Sequence, residues 1–287
     1  MGIDIREFVR GDIEFALLQT KREGWDATTD FFEKCLAHDP HGCFIAEIAG
    51  DRAGMITTAC YTQSGWIGNL IVPPEQRFKG IGAALMAQAL EYLSTKRVET
   101  FRLEADPAGI KLYRRLGFVD EFESLRFLRD GKHRSADAKQ RAKASQVQPC
   151  AESDISALCA LDAEYFGDDR GRMLSLMHKD AQACYVRHST DGIDGYAFAL
   201  SSAAGIRIGP WVAQSRTAAN NLLEAILTDH GNKTLVAGVP DVNSQAVALL
   251  KRNDFHETPS SLRMVRGKPA AVGRPEGIYA IGGGAMG

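Results

Sequence analysis

The sequence lacks long apolar runs, paired cysteines and a surplus of charge of either sign. Its six cysteines include no CxxC pair and no regular spacing, so neither a zinc site nor a disulfide framework is indicated, and we predict no metal. The stretch MGIDIREFVR has no apolar core of a signal peptide, and we expect a cytoplasmic protein without membrane contact. A formal net charge of -2 gives no electrostatic reason to bind nucleic acid.

A chain of 287 residues is long enough for two domains. Between Asp130 and Gln146 the sequence DGKHRSADAKQRAKASQ has no large apolar side chain, so this stretch has nothing to bury. We therefore predict a linker at 131–146, with one domain at 1–130 and a second at 147–287.

The segments on either side of the predicted linker resemble each other. Each carries an Asp directly before an Ile at a predicted helix start, where Asp12 and Asp154 would cap the helix. Two later pairs of segments share the apolar positions of a helix and occur in the same order. The pairs are Ile5–Ile13 with Val147–Ile155, Gly80–Leu90 with Thr217–Leu227, and Ala108–Phe118 with Ser244–Phe255. They indicate two copies of one unit.

The order of elements in the first copy indicates an α+β fold. After a predicted helix at Ile13–Lys21, three short apolar runs separated by turn residues favour an antiparallel meander. A helix follows the glycines of RFKGIG, and a strand at Glu99–Glu104 and a short helix at Pro107–Leu116 come next. The apolar face of the middle helix would hold Ile81, Leu85, Ala89 and Tyr92.

Two glycines, Gly80 and Gly82, open that helix. Backbone N–H groups at a helix start have no intrahelical partner and the helix dipole favours negative charge, so a phosphate is the expected guest. Arg77 and Lys79 add positive charge. A Walker loop would need Lys and Ser or Thr after its second Gly, and a dinucleotide fingerprint would need a small residue where Leu85 stands. Both of these interpretations fail.

The stretch RFKGIG, after the predicted strand residues Leu70–Val72, resembles the R/Q-x-x-G-x-G/A motif of the GNAT N-acetyltransferases. PAGIKLYRRLGF, Pro107–Phe118, resembles a second motif of that superfamily, a helix that carries a Tyr and ends in Leu-Gly-Phe. The whole chain is similar to tandem GNAT proteins of the YitH-like type. This resemblance implies two tandem GNAT-like domains, each a mixed, mostly antiparallel sheet flanked by helices.

The resemblance also implies acetyl-CoA as the cofactor. In the family a primary amine attacks the thioester directly, a backbone N–H at a strand bulge stabilises the oxyanion, and a Tyr, here Tyr113, protonates the departing thiolate. A phenol is a weaker acid than a thiol, so Tyr113 must act as charge develops or be acidified by its site. The residues implied to bind the cofactor are Leu70, Ile71, Val72, Arg77, Phe78, Lys79, Gly80, Ile81, Gly82, Ala83, Asp106, Gly109 and Tyr113.

The general base stays open at this stage. Many relatives carry a carboxylate on the strand before the loop, where this sequence has Gly68 and Asn69. We predict catalytic roles for Tyr113, Glu104 and Asn69, with Glu47 as an alternative base.

The second copy lacks most of these residues. Asn243 falls where the resemblance expects an Asn that touches the pantetheine arm, whereas the first copy has Asp106 there. We predict a degenerate second domain that shapes the acceptor pocket, with the aspartates of GDDR either holding a cationic substrate or capping a helix. Gly80, Gly82 and Tyr113 are replaced in the second copy by Thr217, Ala219 and Leu250.

Near the end of the sequence, the run Gly282–Gly284 is predicted to be a flexible tail.

These features predict an N-acetyltransferase that moves an acetyl group from acetyl-CoA to the primary amine of a small molecule. Two alternatives stay open: a protein or peptide amine as the acceptor, and a CoA-binding sensor without turnover. The presence of Tyr113 favours an enzyme over a sensor. The expected partner is a small-molecule amine, with no nucleic acid and no membrane, and the sequence leaves open whether the protein is a homodimer.

Overall fold

The computed structural model describes residues 2–25, 27–131, 146–268 and 273–287, so residues 132–145 of the predicted linker lie outside the described part. None of the described helices combines the length and apolar content that crossing a membrane requires. The described α-helices are α1 Ile13–Arg22, α2 Thr29–His38, α3 Ile81–Thr95, α4 Ile110–Arg115, α5 Ile155–Phe166, α6 Gly171–Asp180, α7 Arg216–His230 and α8 Ser244–Arg252. The described strands are β1 Asp4–Glu7, β2 Phe44–Ile48, β3 Asp51–Cys60, β4 Ser64–Ile71, β5 Thr100–Ala105, β6 Val119–Arg129, β7 Val147–Pro149, β8 Ala183–Ser189, β9 Gly192–Ser202, β10 Gly205–Ala213, β11 Leu235–Pro240, β12 His256–Gly267 and β13 Ile278–Ala280.

The chain divides into two compact units, and neither is a continuous piece of sequence. Unit 1 contains Met1–Glu121, Arg263–Ala270 and Gly284–Gly287, and unit 2 contains Phe122–Leu262 and Ala271–Gly283. This division differs from the simple cut at the linker that the sequence suggests. Hydrophobic periodicity identifies a strand but does not tell which sheet the strand joins.

Unit 1 is built on a mixed sheet. β1, β2, β3 and β4 pair antiparallel in that order, and β5 joins β4 in parallel. α3 packs closely on this sheet because two strand positions are glycines. A Cβ added to Gly65 would lie 2.7 Å from Leu93, and one added to Gly54 would lie 3.1 Å from Ile81. The first distance is shorter than side chains normally allow and the second is tight, so the glycines permit the helix to approach the strands closely.

Unit 2 repeats this arrangement. β7, β8, β9 and β10 pair antiparallel in order, β11 joins β10 in parallel, and β6 pairs antiparallel with β11. Its core includes Trp211 from β10, Leu222 from α7 and Phe127 from β6. The expected fold class, two mixed and mostly antiparallel sheets flanked by helices, is therefore confirmed.

The sequence predicts that Asp12 and Asp154 cap α1 and α5. In the structure their carboxylates instead accept hydrogen bonds within the short 3-10 turn that precedes each of these helices. Each accepts a hydrogen bond from the backbone N–H three residues before it, from Val9 and Ala151 respectively, at 2.9 Å. Burial alone would raise the pKa of Asp12, but hydrogen bonds from Arg6, from the Val9 amide and from Arg52 lower it to about 2. Both copies thus share a turn that leads into the first helix, which supports the internal repeat.

Candidate active site

β4 carries a bulge just before the glycine loop. Its register with β3 shifts between Met55 and Thr57, so that Asn69 and Leu70 lie opposite a single residue. Asn69 has a φ of 48°, in the left-handed region that Asn tolerates better than most residues. Its side-chain amide donates to Thr57 Oγ1 at 3.0 Å. Asn69 therefore shapes the bulge, and its side chain is held by β3.

β4 and β5 separate beyond this point. Their last parallel pair joins Ile67 to Leu103, although β4 continues to Ile71 and β5 to Ala105. Backbone N–H and C=O groups need partners, so a split between two strands is a place where an extended ligand can bind. Leu70 and Ile71 belong to the part of β4 that borders this split, and Val72 follows directly after it. The resemblance implies that the amides of these three residues are the candidates to stabilise an oxyanion.

The glycine loop leaves the start of α3 without a side-chain cap. Gly80 is the N-cap residue, with a φ of 86° that favours glycine. A Cβ added to Gly82 would only touch Leu112 and Val72, at 3.7 and 3.8 Å. Packing of the protein therefore does not require glycine at position 82. A phosphate could approach the backbone of the first helical turn there.

The other loop residues predicted to bind the cofactor differ in exposure. Phe78 is fully exposed, with a φ of 64°. Ala83 is exposed on the first turn of α3, whereas Ile81 is buried against the sheet. Ile81 can contribute its backbone to a ligand, while its side chain belongs to the core.

The two cations of the loop have different surroundings. Arg77 Nε donates to the Val72 carbonyl at 2.9 Å, and the guanidinium also pairs with Glu23 at the end of α1. Arg77 therefore ties the loop to β4 and α1, and Glu23 offsets its charge. Lys79 donates to Gln76 at 2.9 Å in an exposed position. Lys79 and the dipole of α3 are the better sources of positive potential for a phosphate.

Tyr113 lies on α4 with its ring buried. A Cβ added to Gly109 would lie 2.6 Å from the ring and 3.3 Å from the phenol oxygen, so Gly109 makes room for this tyrosine. Burial raises the pKa of Tyr113 above its ordinary value, and the carboxylate of Asp106 raises it further. Of the two alternatives left by the sequence, this direction favours the one in which Tyr113 gives up its proton as negative charge develops on the acceptor.

Asp106 has a partner that the sequence did not identify. Trp25 Nε1 donates to Asp106 Oδ2 at 2.8 Å. An indole N–H is only a donor, so a carboxylate suits this position. The bond links the segment after α1 to the end of β5, near Tyr113. The sequence gives no role to Trp25, because nothing local indicates a contact across 81 positions.

Glu104, a predicted catalytic residue, belongs to a buried ion pair. Arg263 Nε donates to Glu104 Oε1 at 2.7 Å, with 5% and 3% of the two side chains exposed. The guanidinium also lies 4.6 Å from the ring centre of Trp66. The alternative base, Glu47, lies on β2 and accepts from Arg6 at 2.8 Å, with β3 between it and β4. The geometry therefore favours Glu104 over Glu47.

Residues 284–287 pack on β4 and β5 next to the bulge. Ala285 and Met286 are buried, and Tyr61 Oη donates to the Met286 carbonyl at 2.8 Å. A Cβ added to Gly68 would lie 2.2 Å from Ala285 Cβ, so the crossing requires a glycine in β4. The prediction that Gly282–Gly284 form a flexible tail is therefore wrong, because Ile281 and Ala285 on either side of the run are buried. A glycine run shows that the backbone is permissive, but it does not show what the apolar residues after it contact.

Unit 2 has the same bulge with different chemistry. The register of β10 with β9 shifts between Ile208 and Trp211, and Pro210, at the bulge, has no N–H to donate. Ser215 Oγ accepts from the Ala218 amide at 3.1 Å and caps α7. Leu250, at the position equivalent to Tyr113, is fully buried. These features agree with the expected degeneracy of the second domain.

Asp169 and Arg170 of GDDR make contacts within unit 2 itself. Asp169 accepts from the Gly171 amide at 2.8 Å at the start of α6. Arg170 makes two hydrogen bonds of 2.8 Å to the buried Asp162. Of the two interpretations left by the sequence, these bonds favour helix capping.

Comparison with known proteins finds the same family in both halves of the chain. A model of the acetyltransferase (GNAT) family matches residues 12–118, and a model of an acetyltransferase (GNAT) domain matches residues 158–280. The N-acetyltransferase YitH of Bacillus subtilis is 24% identical over 177 residues, which are 61% of each chain. A mycothiol acetyltransferase of Thermobispora bispora is 37% identical over 91 residues, 28% of this chain and 31% of that protein. The chain therefore spans less than two thirds of the length of these curated relatives.

Two solved structures resemble the whole chain. An acetyltransferase from Pyrococcus horikoshii has a TM-score of 0.84 and 25% identity, covering 100% of this chain and 96% of that one. A tandem GNAT protein from the clavulanic acid biosynthesis pathway has a TM-score of 0.63 and 14% identity, covering 93% and 99%, a likeness of fold alone. With a GNAT model matched on each side of the linker, the chain belongs to the GNAT acetyltransferase family and carries two GNAT domains in tandem.

Proposed function

We propose that the chain transfers an acetyl group from acetyl-CoA to the primary amine of a small molecule, by direct attack of the amine on the thioester, and that unit 1 carries this activity. One observation supports the proposal most strongly. Unit 1 combines a bulged strand that can donate backbone N–H groups, an uncapped helix start and the buried phenol of Tyr113. Unit 2 keeps the bulge but has Pro210 in it, caps its helix with Ser215 and has Leu250 in place of the phenol. Membership of the GNAT family supports acetyl transfer in general.

The residues of unit 1 fit coenzyme A. The first turn of α3 offers backbone N–H groups without intrahelical partners, and the space beside Gly82 leaves room for a pyrophosphate. Residues 70–72 lie at the bulge and lead into the loop that ends at this helix start, so the pantetheine arm would run along them. Asp106 stands at the end of β5 and can only accept hydrogen bonds from that arm. When bound, acetyl-CoA supplies the activated thioester.

The residues of the site can divide the chemistry as follows. Backbone amides at the bulge donate to the carbonyl oxygen as it gains charge, an effect worth ~3 to 4 kcal/mol. The C–N bond forms as the C–S bond breaks, and Tyr113 gives its proton to the departing sulfur. At pH 7.4 an alkylamine is only about 0.1% neutral, so a base must take a proton from it. Glu104, held by Arg263, is the proposed base, acting directly or through a water molecule.

The surroundings of Gly68 favour a small acceptor over a peptide. An extended peptide commonly binds by adding a strand to exposed strand residues. Ala285 already lies against Gly68, and a Cβ on Gly284 would lie 3.4 Å from Glu104 Cβ. The chain itself therefore occupies the surface of β4 and β5 next to the bulge. A compact amine needs less of that surface than a polypeptide does.

The test is release of free CoA from acetyl-CoA with a panel of amines, amino acids, polyamines and aminosugars. With the accepted amine, Tyr113→Phe should lower kcat by ~10² or more while leaving CoA affinity nearly unchanged, because the ring stays and only the proton donor is lost. Since the pKa of Tyr113 is raised, kcat of the wild type should show no loss from tyrosine ionisation below about pH 10.

The matched control is Tyr185→Phe, which removes a phenol that bonds to Asp229 in unit 2. It should leave kcat unchanged. An unaltered kcat in Tyr113→Phe would exclude the acid role. Tight CoA binding without turnover on any amine of the panel would favour a protein acceptor or a sensor instead.

A further inference from the structure

The split between parallel strands that unit 1 offers to a cofactor has a counterpart in unit 2. There the last parallel pair of β10 and β11 is Ile208 with Ala237, just before the bulge at Pro210. In unit 1 the last pair, Ile67 with Leu103, likewise precedes a bulge. The two units therefore open at the same place in the same pair of strands.

In unit 2 a segment of the chain fills this opening. β13 pairs antiparallel with β10, with Ala280 opposite Trp211 and Ile278 opposite Val212. On its other side, the amide of Ile281 donates to the Gly238 carbonyl of β11 at 2.8 Å. The segment thus satisfies backbone groups on both separated strands, as an inserted strand does.

Asn243 holds the same segment. Its side-chain Nδ2 donates to the Ile278 carbonyl at 3.0 Å, while its Oδ1 accepts from the Ala246 amide at 3.0 Å. The sequence places Asn243 at the position where the resemblance expects a contact with the pantetheine arm. In this chain that amide is committed to the backbone of β13.

The segment is built into unit 2. Ile278, Tyr279, Ala280 and Ile281 are all at most 5% exposed, and the Tyr279 ring lies 5.1 Å from that of Trp211. A Cβ added to Gly209 would lie 2.1 Å from the Ile281 carbonyl oxygen, so a glycine there admits the segment. Displacing residues 278–281 would expose these four buried side chains and unpair the hydrogen bonds of the segment.

We propose that β13 takes, in unit 2, the place that the pantetheine arm takes in unit 1. The second cleft then binds an extended amide backbone supplied by the chain itself, and each chain binds a single CoA, in unit 1. Pantetheine is also an extended chain with amide groups, so a β-strand can satisfy the same donors and acceptors. The part of this inference that concerns unit 1 rests on the proposed function.

The stoichiometry of CoA binding tests the proposal on the full chain. Titration calorimetry with CoA should give one site per chain. Hydrogen exchange measured by mass spectrometry should show slow exchange of residues 278–281 both without and with CoA, because their protection comes from unit 2. CoA should slow exchange at residues 78–84 and leave residues 211–218 unchanged.

The possible results separate this inference from the proposed function. Two CoA molecules per chain, or protection of residues 211–218 by CoA, would overturn the inference and leave acetyl transfer in unit 1 intact. Fast exchange at residues 278–281 in the unliganded chain would also overturn it. Absence of any CoA binding would defeat the proposed function and the single-site count, while slow exchange at 278–281 would still show that the second cleft is filled.

Discussion

At the scale of single residues, Gly80 and Gly82 have different physical reasons to be glycine. The positive φ of Gly80 favours glycine for backbone reasons alone. Gly82 has no positive φ, and an added Cβ would make only ordinary van der Waals approaches to Leu112 and Val72. The fold therefore tolerates a side chain at position 82. What a side chain would crowd there is a ligand that approaches the backbone.

We predict that Gly82→Ala leaves the unfolding free energy within about 0.5 kcal/mol of the wild type, or slightly above it, because alanine suits a helical position. The dissociation constant for CoA should rise by about tenfold or more, since a methyl group enters the space beside the phosphates. Thermal unfolding and titration calorimetry measure the two effects separately.

Gly11→Ala is the matched control, because a Cβ at Gly11 meets nothing within 4 Å and Gly11 lies away from the loop. It should change neither stability nor CoA affinity. If Gly82→Ala bound CoA as tightly as the wild type, position 82 would not face the cofactor.

At the scale of elements, the packing of residues 284–287 on β4 shapes the surface next to the bulge, where the acceptor amine is proposed to bind. Gly68→Ala would place a Cβ 2.2 Å from Ala285 Cβ and 2.5 Å from the α-carbon of the same residue. We predict a loss of ~1 to 3 kcal/mol in stability, as for other overpacked sites, and displacement of the segment. Hydrogen exchange at residues 284–287 should become faster, while CoA affinity stays near that of the wild type.

A double-mutant cycle with Ala285→Gly checks the cause. Removing the methyl group of Ala285 should recover part of the stability lost in Gly68→Ala, because the clash between the two methyl groups is relieved while the backbone of residue 285 stays close. Additive losses would show that the two residues do not meet.

At the scale of the whole molecule, both units need segments from both sides of the linker. Unit 1 includes Arg263–Ala270 and Gly284–Gly287, and Arg263 neutralises the buried Glu104. We predict that a chain cut at a protease site inserted between Lys139 and Gln140 still elutes as one particle in gel filtration. A fragment of residues 1–131 alone should fail to fold, since a buried carboxylate without its partner costs ~3 to 5 kcal/mol.

The cut chain should separate only in denaturant. Separation of the halves under native conditions would contradict the placement of residues 263–270 and 284–287 in unit 1. A soluble, cooperatively folding 1–131 fragment would do the same, because it would show that Glu104 does not depend on Arg263.

The sequence by itself predicted the meander, the helix after Gly80, the helix that carries Tyr113, and the replacement of Gly80, Gly82 and Tyr113 in the second copy. These signals are local, because the period of apolar residues and the chemistry of glycine act within one element. Trp25, Arg263 and β13 could not be found in this way. Trp25 lies 81 positions from Asp106, and Arg263 lies 159 positions from Glu104.

Tertiary structure decided which sheet each late strand joins. β6 and β12 follow their copies in sequence, yet Phe122–Arg129 of β6 pack in unit 2 and Arg263–Gly267 of β12 in unit 1. Local propensity is the same for a strand in either sheet, so only the packing of whole elements discriminates between them. The same packing placed Ile278–Ala280 as a strand beside β10. It also buried Ala285 and Met286, directly after the run Gly282–Gly284 that was predicted to be a flexible tail, because these apolar side chains pack on unit 1.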